Sequence, residues 1–167
     1  MASIDWGEGK YFSWENFSED PEEHAEPALL YTLDDYRGLL GYPLYPSPVK
    51  GGLARFRKSD EGSRHCARNK KRSDASDQFP DQDPARAVLV ALTSRLWGGV
   101  GLYLDTKLRG IPWPMLHLDL RPLGYGHSQR TVLVWIRRDG EYIYPQYRDG
   151  GGAILGEALR IREAPVC

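Results

Sequence analysis

The chain has 167 residues, 41% of them hydrophobic and 27% charged, which fits one domain with a single apolar core. A formal net charge of −1 argues against the strongly basic field of a general nucleic-acid binder. No stretch approaches the roughly 18 apolar residues of a membrane span, and Met1 to Trp6 lacks the basic and apolar regions of a secretory leader.

In chain order, residues 1–31 are acidic and aromatic and read as an arm with a short helix that packs on the main body, since disordered tails carry few aromatics. Thr32 is placed to cap a helix over 33–40 with an apolar stripe of Leu33, Tyr36, Leu39 and Leu40, closed by Gly41. Pro43, Pro46 and Pro48 force an extended or turning path. Residues 50–82 read as a long loop with a basic cluster from Arg64 to Arg72. Asp83 and Pro84 open a helix whose buried face is Ala87, Val88, Ala91, Leu92 and Leu96, ended by Gly98-Gly99.

Strands are expected over 100–104, 115–120 and 131–137, the last turning at Arg138-Asp139-Gly140-Glu141 into Tyr142-Ile143-Tyr144. Gly150-Gly151-Gly152 reads as a flexible break before a short helix over 153–162, a C-terminal extension from residue 150. The expected class is α+β, a small antiparallel sheet with helices on one face.

Trp113-Pro114-Met115-Leu116-His117-Leu118-Asp119-Leu120-Arg121 carries the chemistry. Strand alternation puts His117, Asp119 and Arg121 on one face and the leucines on the other. With His65, and with Asp74 or Asp77, His117 makes a three-ligand set of the kind that holds a catalytic zinc and leaves a position open. His24 and His127 read as surface residues, Cys66 as a packed thiol. With only Cys66 and Cys167, the second of them at the last position, no disulfide framework is expected. Trp97, Trp113 and Trp135 read as core or groove walls.

Four short motifs occur in order: Ser63-Arg64-His65, Ala75-Ser76-Asp77, Gly99-Val100-Gly101-Leu102-Tyr103, and His117-Leu118-Asp119 with Arg121. With the aromatic opening Tyr11 to Phe17, this resembles the zinc D-Ala-D-Ala carboxypeptidases and L-alanyl-D-glutamate endopeptidases of peptidase family M15, related in fold to the Hedgehog domain. The chain departs from the pattern in three ways. Asp77 follows His65 by twelve positions instead of seven, the glycine between them is missing, and Pro114 stands where many members have a Glu base.

The resemblance implies a Hedgehog/DD-peptidase-like fold and one zinc ion held by His65, Asp77 and His117, with Asp74 the alternative to Asp77. It also implies hydrolysis of an amide bond in a peptidoglycan stem peptide by a monomer. Arg55 would hold the substrate carboxylate or oxyanion. Asp119 would either serve the water as base or orient a ligand imidazole, with Asp105 as another candidate base. The expected setting is a phage or prophage endolysin, or a virion part, made in the cytoplasm and released to the wall by another route. The rival expectations are a non-catalytic zinc-containing structural or wall-binding module of the same fold and, further off, a nucleic-acid binder using the basic loop.

Overall fold

The computed structural model describes residues 11–68, 71–122, 132–145 and 150–163. His127, Thr131 and Cys167 lie outside them. The elements run α1 (Pro21–His24), α2 (Pro27–Leu40), β1 (Leu44–Pro46), β2 (Ala75–Pro80), α3 (Pro84–Thr93) and β3 (Gly99–Tyr103). There follow β4 (Lys107–Leu108), β5 (Ile111–Pro112), β6 (Met115–Asp119), β7 (Leu133–Arg138), β8 (Glu141–Ile143) and α4 (Gly150–Glu163).

The class is α+β, but the main sheet is mixed. Its order is β1-β2-β6-β3-β7-β8, with β4 and β5 forming a separate two-stranded sheet. All main-sheet pairs are antiparallel except β3 with β7. β7 lies on the far side of β3 from β6. Running opposite to β6 then makes β7 parallel to β3, which corrects the expected all-antiparallel sheet.

One face of the sheet carries the apolar core. Val100 and Leu102 of β3, Leu116 and Leu118 of β6, and Val134 and Ile136 of β7 pack with Leu29, Leu33 and Tyr36 of α2, Val88 and Ala91 of α3, and Ile154 and Ala158 of α4. The opposite face holds a smaller cluster of Phe79, Tyr103, Met115 and Trp135. Alternation thus sorts the leucines from His117 and Asp119 as expected, yet every residue of β6 is buried.

Four expected elements are corrected. α2 starts at Pro27, not residue 33, because proline sets the backbone angle of a first turn without losing a bond. Thr32 sits inside this helix, its Oγ1 donating to Ala28 O at 2.7 Å, and Leu39 is exposed. Gly41 closes the helix in the left-handed region at φ 76°. The supposed loop 50–82 contains β2, buried at all six residues. Its sequence Ala-Ser-Asp-Gln-Phe-Pro shows no apolar alternation because Ser76 and Gln78 occupy inward positions; Gln78 Nε2 donates to Ser76 Oγ at 2.7 Å.

α3 is capped by the Asp83 side chain as expected but ends at Thr93, and Gly99 already belongs to β3. Gly150 to Gly152 are helical instead of forming a break. Packing of α4 on α3, where Ile154 and Ala158 are fully buried, overrides the low helix propensity of glycine.

The N-terminal arm docks through buried Phe12 and Phe17. Behind them the Glu19 carboxylate accepts from Gly51 N at 2.5 Å and Leu53 N at 3.2 Å, so it fixes the segment leading to Arg55. The basic run is partly pinned: Arg64 pairs with Asp74, Arg68 with Glu61 at 2.8 Å, and Arg72 donates to Ala25 O at 3.2 Å. Among the described residues, no helix is long and apolar enough to cross a membrane.

Candidate metal centre

Sheet register builds the site. Asp77 of β2 pairs with His117 of β6, His117 pairs with Gly101 of β3, and Gly101 pairs with Trp135 of β7. These four positions form one row across the face opposite the helices. Two glycines on β3 make the row possible. A Cβ at Gly101 would lie 2.4 Å from the Trp135 indole, so only glycine lets that ring lean toward His117, 5.0 Å away between centroids. A Cβ at Gly99 would lie 2.5 Å from Asp119 Oδ2, so glycine leaves room for that carboxylate.

His65 arrives from the long connection before β2. Arg55 N donates to His65 O at 2.7 Å and Ala67 N to Arg55 O at 2.9 Å, which lays the two segments side by side. His65 Nε2 comes within 2.9 Å of His117 Nδ1 and 3.3 Å of Asp77 Oδ1, and His117 Nδ1 lies 3.0 Å from the same oxygen. One ligand atom from each of the three residues lies within 4.8 Å of the others, and all three residues are buried.

Each imidazole is also held from behind. His65 Nδ1 meets Leu53 O at 3.3 Å; a carbonyl only accepts, so Nδ1 carries the hydrogen and the Nε2 lone pair faces the cluster. His117 Nε2 donates to Asp119 Oδ2 at 3.2 Å. Asp119 is in turn held by Arg121, whose Nε donates to Oδ1 at 2.7 Å. Such outer partners fix the tautomer and orientation of metal-ligating histidines.

Titration behaviour follows from this packing. Burial pushes the His65 imidazole below its ordinary value. Burial acts the same way on His117, but the hydrogen bonds it donates to Asp119 and Asp77 outweigh it and raise that group. For Asp77 burial opposes ionisation, and the two imidazoles overcome it, holding the carboxyl well below the usual range. Asp119 is likewise depressed, with His117 and Arg121 outweighing burial. Tyr103, stacked on His117 with centroids 6.2 Å apart, is raised by burial and by the Asp77 charge.

The donor set of two imidazole nitrogens and one carboxylate oxygen could hold a metal ion. In a tetrahedral site with bonds of about 2.1 Å, ligand atoms stand roughly 3.4 Å apart. The observed separations of 2.9 to 3.3 Å need only a small opening to reach that spacing.

The site brings together His65, Asp77 and His117 but not Asp74, which pairs with Arg64. Asp119 lies behind His117 and is fully buried, while Asp105 is engaged by Arg137 at 2.9 Å. Arg55 Nη2 is 3.7 Å from Asp77 Oδ2. His24 is half-buried, edge-on to Phe56, and Cys66 is a buried free thiol. Trp97 is a core residue, Trp135 walls the site, and Trp113 donates to Pro80 O at 2.6 Å.

A cleft of about 520 Å³ opens over His65 and His117, walled by Trp135, Tyr103, Tyr142 and Tyr144. Sequence reasoning missed the two exposed tyrosines as site residues. Their signal is the parity of the hairpin, since Tyr142 pairs with Arg137, two residues along from Trp135. Comparison with known proteins gives no match among family models, curated proteins or solved structures.

Proposed function

We propose that the protein is a zinc-dependent peptidase acting on an amide bond of peptidoglycan stem peptides, of the M15 type that its motifs resemble. The observation that carries this reading is the pair of imidazoles, each tethered from behind, whose remaining nitrogens converge on Asp77 beneath an open cleft. Three protein ligands of mixed nitrogen and oxygen type with space above them are the arrangement of a catalytic zinc, whereas structural zinc sites are closed by a fourth side chain. When bound, zinc would polarise a carbonyl and bring a water's pKa near 7.

The chain's own residues divide the remaining work. Asp119, clamped by Arg121, keeps His117 in the tautomer that presents Nδ1. Arg55 offers a guanidinium beside Asp77 to a carboxylate or to charge developing on a carbonyl oxygen. Trp135 and Tyr103 wall the cleft and limit water around the reacting bond. The Hedgehog/DD-peptidase-like topology and the endolysin or virion setting belong to this same proposal.

Three observations favour the non-catalytic module instead. Pro114 occupies the position of the family's base, Asp119 is sequestered, and Glu61, a carboxylate lining the cleft, is engaged by Arg68. The deciding experiment digests purified peptidoglycan with the protein, with and without a chelator, and measures metal content. About one zinc per chain and chelator-sensitive release of new termini are expected. Bound zinc without release would leave the binding module, and absence of metal would end both readings.

A further inference from the structure

The cleft over the candidate metal centre has two unlike walls. Arg55, Arg64 and Glu61 belong to a charged one, and Trp135, Tyr103, Tyr142 and Tyr144 form an aromatic one. Two rings of the aromatic wall face solvent. Tyr142 is 49% exposed and Tyr144 is 63% exposed, whereas Trp135 and Tyr103 are buried. Tyr142 lies in the edge strand β8 and Tyr144 directly follows it. Alternation and the pairing of Tyr142 with Arg137 put both rings on the sheet face that carries Trp135 and His117. Neither ring belongs to either apolar cluster, so the core does not require them. Proteins usually blunt an edge strand with charge, and exposed aromatic rings there invite a ligand.

The aromatic wall is braced. Tyr142 meets Tyr103 edge-on with centroids 6.0 Å apart, and Tyr103 stacks on His117 at 6.2 Å. The Arg137 guanidinium lies 4.4 Å from the centre of the Tyr103 ring. Asp105 pairs with Arg137 at 2.8 Å and accepts from Gly140 N at 2.8 Å, which ties the turn before Tyr142 to the segment after β3. Charge around the exposed rings is balanced. Arg121 is matched by Asp119, Arg137 by Asp105 and Arg138 by Glu157, and the exposed Glu141 adds a negative charge. Stacking rings without surplus positive charge suit a neutral ligand, because a nucleic-acid strand needs cations for its phosphates. A pyranose ring is such a ligand: its apolar C–H face packs on the electron-rich face of a tyrosine while its hydroxyls stay in water.

We propose that Tyr142 and Tyr144 form a sugar-stacking shelf for a neutral chain of N-acetylated hexosamines, so that the preferred ligand of the cleft is a stem peptide still attached to its glycan. This rests on the stem-peptide reading above. The two ring-to-ring steps of 6.2 and 6.0 Å from His117 to Tyr142 span a distance that about three or four extended residues cover, at roughly 3.3 Å each. The sugar that carries a stem peptide therefore reaches the shelf while an amide a few residues along the peptide lies over His65 and His117. Seating the sugar raises the effective concentration of the linked peptide at the centre, so two weak contacts add into one firm one.

The test uses the zinc-loaded full chain with a tetramer of N-acetylglucosamine, a free stem-type peptide, and the same peptide carrying its disaccharide. Backbone-amide shifts locate binding, titration gives affinity, and mass spectrometry reads products. The tetramer should shift the amides of Glu141 to Tyr144, and the sugar-linked peptide should bind at least about tenfold tighter than the free one. Replacing Tyr142→Ala with Tyr144→Ala should bring that ratio to within about twofold of unity, whereas Tyr142→Phe with Tyr144→Phe, which keeps both ring faces, should preserve it. Zinc content should be the same in both double variants. Equal affinity for the two peptides, no shift near Tyr144, or a ratio untouched by loss of both rings overturns the proposal; continued cleavage of the free peptide would then leave the hydrolase reading standing. Salt-sensitive binding of oligothymidylate at the shelf in preference to the tetramer would assign nucleic acid there and also overturn it. Sugar binding at the shelf and the expected ratio, without release of peptide termini, uphold the shelf and refute the hydrolase reading.

Discussion

His117 Nε2 and Asp119 Oδ2 lie 3.2 Å apart, on the side of the ring away from His65 and Asp77. The carboxylate therefore acts on the candidate metal centre only through the imidazole. Asp119→Asn should keep the fold but lower zinc affinity by about 10- to 100-fold, the usual cost of an outer partner. Competition against a chromogenic chelator measures it; an affinity within about twofold of wild type would show that His117 needs no such support.

His65→Ala, Asp77→Ala and His117→Ala should each abolish stoichiometric zinc, whereas Asp74→Ala should retain it. Asp74 is separated from the centre by its pair with Arg64. Elemental analysis of the four purified variants distinguishes them, and loss of metal in Asp74→Ala would reassign the oxygen ligand.

Zinc binding should release protons, and more of them as the pH falls. In the metal-free protein His117 is raised, so its stabilisation is complete below the unfolded value of about 6.5 and is lost as pH rises through its folded value. His65 is depressed and runs the other way: its contribution is complete above about 6.5 and is lost as pH falls. Of the two imidazoles, His117 therefore holds its second proton to the higher pH, and zinc has to displace that proton from Nδ1. Calorimetry in buffers of different ionisation enthalpy should show affinity rising with pH and then levelling; a flat response from pH 5.5 to 7.5 would contradict this.

Gly101→Ala should cost about 1–3 kcal/mol, the range for overpacking a tight site. The added Cβ would meet the Trp135 indole at 2.4 Å, and the ring has to leave its place beside His117. Denaturant unfolding gives the cost, and Trp fluorescence reports the ring. Gly62→Ala, where nothing lies within 4 Å of the added atom, serves as the control.

The sixth strand was legible because its apolar and polar residues alternate, and Asp83-Pro84 and Gly41 marked helix ends through local chemistry alone. The second strand was not legible. Ser76 and Gln78 face inward without apolar character, so no period betrays a strand that runs buried between two others. Two histidines and an aspartate were nameable as a set, but which aspartate closes it depends on the register that pairs Asp77 with His117, a long-range property. The roles of Gly99 and Gly101 were hidden for the same reason: each glycine serves a side chain on another strand or just beyond it.

Glu19 grips the amides of Gly51 and Leu53, and the Leu53 carbonyl in turn steadies His65. A protease nick in the leading segment, or its displacement by a binding partner, would slacken the candidate metal site from a distance while sparing His65, Asp77 and His117 themselves. On the zinc reading, retention of the ion thereby becomes a gauge of whether the segment from Tyr11 to Leu30 is seated.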